Sequence, residues 1–213
     1  MMTFDDYSLR IVTNHDFSSD RYRLGVVVFT RPEDKLCKEV IGPSLNYLHE
    51  HTGKKVHFYF VGFCDQELGA YSEKALGNLF GDKKDWYFSP SHFSNVQENF
   101  EKMTNDSWQY SGGTDLLIVP YLKRDGVFNI DARKAIDIKL SRLAENTKNY
   151  IPEEIVQIIV RQLKKGKDID GVSNSRIMDG IKTGLKSSLL GLLPGGVSNT
   201  YSVLEPFAVR DLT

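Results

Sequence analysis

In "FTRPEDKLCKEV", Cys37 stands three residues after Asp34, just inside a helix announced by Pro32, Glu33 and Asp34. A thiol at a helix start can become a nucleophilic thiolate, because the positive end of the helix dipole favours anions. A carboxylate is favoured there for the same reason, but it cannot attack a disulfide. Thr114, in "SGGT", and Tyr110 just before it could share a small cleft with Cys37 and Asp34, as in a single-thiol or glutathione-dependent enzyme. Against that chemistry stands the ordinary role of a free cysteine as a small buried residue.

The other chemically able residues are less well spaced. The histidines at 15, 49, 51, 57 and 92 offer no chelating pair, since His49 and His51 are two apart and diverge on a helix. No metal site and no cofactor are expected. "SGGT" (Ser111 to Thr114) precedes a strand, whereas a phosphate-cradling loop precedes a helix, so it reads as a flexible turn. Arg161, Lys164, Lys165 and Lys167 cluster at a helix C-terminus, where cations stabilise the helix whatever else they do. With a formal net charge of -1, nucleic acid is not expected as a partner.

One segment could dock on something. In "IMDGIKTGLKSSLLGLL", Ile177, Ile181, Leu185, Leu189 and Leu192 fall on one helical stripe. The stripe folds back on the chain's own core, meets another subunit or protein, or touches a membrane surface, for which two lysines and three internal glycines make it a poor anchor. Trp86, in the aromatic "WYF", is a second candidate contact, and exposed apolar patches are expected around these residues.

These residues need elements to hold them. Tyr7 to Thr13 alternates as a short strand, and the valine-rich "YRLGVVVFT" is a strand buried on both faces. An amphipathic helix follows, kinked by Pro43, which removes a backbone donor and crowds the preceding turn. "KVHFYFVGF" is the next strand, so strand, helix and strand form a βαβ unit with parallel strands. A short helix is expected near Ser72 to Phe80 and another from Phe93 to Met103. "DLLIVPYL" and "VFNID" flank the turn signal "RDG" as an antiparallel hairpin, although Pro120 counts against a central strand. Residues Ala132 to Asn149 fit strand or helix equally, and "IPEEIVQIIVRQLKKG" is a well-capped helix from Pro152. The last twenty residues read as a loop-rich tail.

The order of these elements from Tyr22 to Gly166 resembles the thioredoxin-like superfamily. Phe29 precedes Cys37 at the distance where thioredoxins place a strand-end Phe before the second cysteine of Cys-x-x-Cys, and a helix-kinking proline follows at Pro43. The resemblance implies an α/β three-layer sandwich with a mixed sheet and a C-terminal extension. It also puts Asp34 at the nucleophilic cysteine, giving "DKLC", Cys37 at the resolving thiol, and Thr114 at the family's cis-proline. The redox chemistry is therefore expected to be gone.

Residues 1–166 then make the thioredoxin-like domain, and residues 167–213 an amphipathic segment and tail docked on that domain or on a partner. The expected function is that of a redox-inactive binding or assembly module working through protein partners or self-association. A Cys37 enzyme and a small-ligand-sensing module are the alternatives. Two cysteines fit a reducing compartment better than a Cys37–Cys64 disulfide. The absence of a signal-like or membrane-spanning apolar run makes the cytoplasm the expected location.

Overall fold

In the computed structural model the chain is a mixed α/β protein. The structure describes residues 3–4, 23–43, 56–64, 74–77, 86–124, 127–146, 152–165, 174–190 and 208–211. The expected strand over Tyr7 to Thr13 lies outside them. The strands are β1 (Thr3–Phe4), β2 (Arg23–Phe29), β3 (Val56–Phe60), β4 (Phe63–Cys64), β5 (Lys74–Gly77), β6 (Trp86–Phe88), β7 (Asp115–Arg124), β8 (Val127–Ile130), β9 (Ile136–Lys139) and β10 (Ala208–Asp211). The α-helices are α1 (Pro90–Met103), α2 (Leu140–Asn146), α3 (Pro152–Lys165) and α4 (Asn174–Leu190).

The valine-rich β2 is central. It pairs in parallel with β3 and antiparallel with β7, and Val26, Val27, Val28 and Phe29 are all buried. Such a strand needs cover on both faces, which explains its continuous apolar run. Among the described residues the sheet has seven strands, in the order β1-β8-β7-β2-β3, with β9 also on β7 and β10 on β9.

Pro120 lies in the middle of β7, against expectation, and the neighbouring strand explains how. Its carbonyl accepts from the Asp131 N–H at 3.1 Å, so its donor-less nitrogen faces the same side. On that side the return strand is broken into β8 and β9 by a 3-10 turn, Ala132–Lys134. The ladder is interrupted where proline cannot donate. The ambiguity over Ala132 to Asn149 has the same origin, because the segment is a turn, a strand and then α2 in succession.

Neighbouring residues on a strand point to opposite faces, and Phe29 and Thr30 separate the two helical layers. Phe29 packs edge-on against Phe93 and Phe100 of α1, at 6.0 and 5.4 Å between ring centroids. Thr30 hydrogen-bonds Cys37 on the helical segment 35–43, against which α3 also packs. That segment widens into a π-helical turn over Cys37–Ile41, with the Gly42 N–H donating to the Cys37 carbonyl. The widening falls directly before Pro43, whose ring would crowd the Glu39 carbonyl in a regular helix.

Beyond β3 the chain turns at Gly62, whose φ of +81° suits glycine. A Cβ there would also lie 2.9 Å from the Phe88 ring. The turn leads into a second, three-stranded sheet in the order β4-β6-β5. The short helix expected near Ser72 to Phe80 is corrected here, since Lys74–Gly77 is a strand paired antiparallel with β6. Long-range pairing overrides the local helix preference of "SEKALG". Helix α1 begins three residues earlier than expected, at Pro90, with Ser89 as its N-cap.

The C-terminal segment belongs to the same fold. Met178, Ile181 and Leu185 are buried, and Gln162 of α3 donates to Ser188 of α4 at 2.7 Å. Burying each of those three side chains contributes roughly 1.5–3 kcal/mol, which favours a docked helix over a free one. The expected loop-rich tail contains β10, paired antiparallel with β9.

Candidate functional site

The ends of β2 and β7 meet the start of the helical segment 35–43 and the first turn of α2. Asp34 Oδ1 accepts the Leu36 N–H at 2.8 Å, which fixes the helix start. Its other oxygen, Oδ2, accepts from Thr114 Oγ1 at 3.1 Å and from Ser141 Oγ at 3.4 Å. Ser141 in turn accepts the Thr114 N–H at 2.6 Å and donates its own N–H to the Thr114 carbonyl at 3.2 Å. Two elements far apart in sequence are thereby tied to one carboxylate. Gly113 makes the approach possible, because a Cβ there would fall 2.6 Å from Ser141 Oγ and 2.7 Å from its Cβ.

The same hydroxyls reach the thiol. Thr114 Oγ1 lies 2.8 Å from Thr30 Oγ1, and Thr30 hydrogen-bonds Cys37. Each hydroxyl has one proton to give. Thr114 gives its proton to Asp34, so the single Thr30 proton is shared between Thr114 Oγ1 and the Cys37 sulfur, and toward sulfur it lowers the thiol, against the larger effect of burial. A Thr30 hydroxyl turned toward sulfur would favour a thiolate, but only by abandoning Thr114. Cys37 is fully buried and free. Burial pushes its thiol up to about 11, and the carboxylates of Asp34 and Glu33 push the same way.

Tyr110 approaches from the α1 side. Its ring packs against Phe93 at 5.3 Å, and its buried hydroxyl has no partner among the described residues. Burial, helped by the Asp115 carboxylate, pushes its phenol up to about 12. Both groups therefore hold protons more tightly folded than unfolded, where their ordinary values are 9.0 and 10.0. The stability this contributes is complete below pH 9.0 and is lost as pH rises through about 11 and about 12. Urea midpoints should fall over that range, and a Cys37→Ser/Tyr110→Phe variant should show a flatter fall. An equally steep fall in the variant would count against this origin.

Asp115, next to Thr114, points to the opposite face. It is fully buried and accepts from the Ser111 N–H at 2.9 Å and from Ser111 Oγ at 2.5 Å. Lys139 Nζ lies 2.8 Å from Asp115, 3.5 Å from Asp137 and 5.2 Å from the Trp108 ring centroid. Asp115 is the register partner of Lys139, and Leu117 that of Asp137, so the ladder itself puts these charges on one face.

Of the residues expected at the site, Asp34 and Thr114 touch directly, Cys37 joins them through Thr30, and Tyr110 lies within electrostatic range of Asp34 and Cys37. Ser141, Thr30 and the Asp115–Lys139 pair were not anticipated. The charged residue opening an apolar strand, "TDLLIV", was the available signal for Asp115.

Trp86 is 3% exposed and part of the core, so it offers no surface contact. Ile181 and Leu185 are buried in the chain's own fold and Ile177 is half-buried, while Leu189 lies in the last turn of α4 and Leu192 lies outside the described residues. Among residues with described side chains, every exposed one is polar, charged, glycine or proline. Among the described side chains around Trp86 to Phe93 and on α4 there is thus no exposed apolar patch of the kind expected, while those of Leu189 and Leu192 are not among them. Among the described residues no His, Cys, Asp and Glu cluster could hold a metal, and no helix is long and apolar enough to cross a membrane. No protein-family model, curated protein or solved structure matches the chain.

Proposed function

We propose that the chain is a redox-inactive thioredoxin-like protein, a three-layer α/β sandwich that serves as a binding or assembly module in the cytoplasm. One observation carries the loss of redox chemistry. The residue at the nucleophile's place, Asp34, is a carboxylate engaged by Thr114 and Ser141, and the cysteine behind it is buried with its thiol pushed up to about 11. At neutral pH almost none of such a thiol is thiolate, the reactive form. The strand order β3-β2-β7-β8, with β2 and β3 parallel and β7 antiparallel to β2 and β8, supports the fold assignment. Helices against both faces support it too.

Contact with a protein partner would then be polar. The exposed side chains of Arg31, Glu33, Lys35, Gln109 and Arg142 offer hydrogen bonds and charges around the end of the sheet. The test is thiol labelling of a Cys64→Ser variant, which isolates Cys37. Labelling should be slow at neutral pH, with a rate that climbs until about pH 11. Rapid labelling at pH 7 with an apparent pKa below the ordinary thiol value would sink the proposal and favour a single-thiol enzyme. Replacing Cys37 by serine should leave partner binding unchanged.

A further inference from the structure

Tyr110 is held at both ends of its side chain's reach. Its N–H donates to Glu101 Oε1 at 3.2 Å, and Glu101 accepts from Gln97 at 3.0 Å, so α1 fixes where the side chain begins. The ring then lies 5.3 Å from that of Phe93 and 6.4 Å from that of Phe29, between centroids. The residue as a whole is half-buried, yet its hydroxyl is covered and has no hydrogen-bond partner among the described residues. A covered donor without an acceptor is unfavourable. Phenylalanine would pack the same rings without that cost.

Arg31 meets the same Phe93. Its guanidinium carbon lies 5.4 Å from the Phe93 centroid, a cation–π contact with a ring that is 1% exposed and wedged against Phe29 and Phe88. The Arg31 side chain is exposed and has no ion pair among the described residues. Its charge reaches the Tyr110 hydroxyl, as do those of Asp115 and Asp34. The two carboxylates are already answered. Asp115 has Lys139 at 2.8 Å, and Asp34 accepts from the Leu36 N–H, Thr114 and Ser141. Arg31 is the charge beside the phenol that is left without a counterpart among the described residues.

Both groups offer protons and neither takes one at neutral pH. A guanidinium has donors alone, and the phenol, pushed up to about 12, keeps its proton. Donors with one positive charge suit an anion that has two acceptor oxygens. We propose that Arg31 and Tyr110, both seated on Phe93, recognise a carboxylate of a protein partner, one oxygen on the guanidinium and the other on the Tyr110 hydroxyl. A carboxylate fits better than a phosphate, because the Asp34 and Asp115 charges that reach the phenol penalise a second negative charge. The exposed Arg31 arm can shift to let the carboxylate reach the covered hydroxyl, since no described ion pair ties it down. The site rests on the binding-module reading and gives its partner a chemistry, an acidic segment.

Nuclear magnetic resonance of the full chain, titrated with the blocked tripeptide acetyl-Gly-Asp-Gly-amide, tests this. The Arg31 and Tyr110 side-chain signals should shift saturably, and acetyl-Gly-Asn-Gly-amide should bind at least about tenfold more weakly. Tyr110→Phe, which removes only the hydroxyl, and Arg31→Gln should each weaken binding about tenfold or more. Tyr110→Phe should do so without lowering the urea midpoint at neutral pH. The absence of a saturable shift, equal binding of the two peptides, or tighter binding of the phosphoserine counterpart would overturn the proposal. So would a loss in Arg31→Gln with none in Tyr110→Phe, the mark of a surface charge acting alone. A lower midpoint for Tyr110→Phe would overturn it as well, by showing that the hydroxyl serves the fold. Rapid labelling of Cys37 would instead sink the binding-module reading and leave carboxylate binding at Arg31 and Tyr110 standing, so the two failures are told apart.

Discussion

Gly113→Ala is expected to destabilise the protein by about 2–3 kcal/mol, towards the upper end of what overpacking costs. The added Cβ would lie 2.6 Å from Ser141 Oγ and 2.7 Å from Ser141 Cβ. Turning the serine hydroxyl aside relieves the first contact but not the second, because Cβ is fixed to the first turn of α2. The backbone must therefore move, and it carries the Thr114 N–H and carbonyl that both bond to Ser141, at 2.6 and 3.2 Å. Moving them also disturbs the Thr114–Asp34 contact at the helix start. Ser141→Gly removes the obstacle together with its hydrogen bonds and should cost about 1–2 kcal/mol alone. The double variant should then cost clearly less than the sum of the two, with a coupling of about 1–2 kcal/mol in urea denaturation. Strictly additive costs would mean that the contact between Gly113 and Ser141 is not what requires glycine.

That contact was not legible in the sequence, and the reason is physical. Gly113 and Ser141 are separated by the whole β7–β9 hairpin, and nothing local distinguishes Gly113 from a flexible turn residue. The elements themselves were more readable. β2 and β7 are continuous apolar runs because both their faces are covered, and α3 declares itself through Pro152, its acidic start and its lysines. β5 and β10 failed because a short strand exists only through its partner, and neither Lys74–Gly77 nor Ala208–Asp211 carries enough local preference. "IDIK" misleads in another way. Its Asp137 and Lys139 alternate with isoleucines as solvent-facing residues would, yet both are largely buried beneath Trp108 and the loop before β7. Trp86 shows the converse, since an aromatic cluster in a polar stretch suggested a surface contact and is core instead.

Asp34 and Thr114 were legible in part, because each interrupts a pattern: a carboxylate where a helix start could carry a thiol, and a hydroxyl at the mouth of a strand. Their direct contact required the fold. The same is true of Thr30, which looks like the polar end of a strand and becomes the link between Cys37 and Thr114. The polar groups gathered at this end of the sheet bond mainly to one another. This is why the arrangement favours a fixed surface over an open reactive centre.

The charges on the opposite face should produce the larger loss. Lys139→Met is expected to cost about 3–5 kcal/mol, the range for breaking a buried ion pair by removing one partner. The Lys139 side chain is 11% exposed, while those of Asp115 and Asp137 are 0% and 3% exposed. Methionine can follow the path of the lysine stem, so packing is nearly preserved and the loss is electrostatic. It leaves two buried carboxylates without the ammonium between them, and it also removes the donor to the Gln109 carbonyl and the cation over Trp108. Asp115→Asn should cost less, about 1–2 kcal/mol, because it leaves Lys139 paired with Asp137 and the amide can still accept from Ser111. The ordering follows because Lys139 lies within 2.8 and 3.5 Å of both carboxylates, whereas Asp115→Asn removes only one of them. Urea denaturation of the two variants checks it, with near-ultraviolet circular dichroism reporting on the tryptophans, including Trp108. Equal costs for the two substitutions would show that Lys139 serves Asp115 alone.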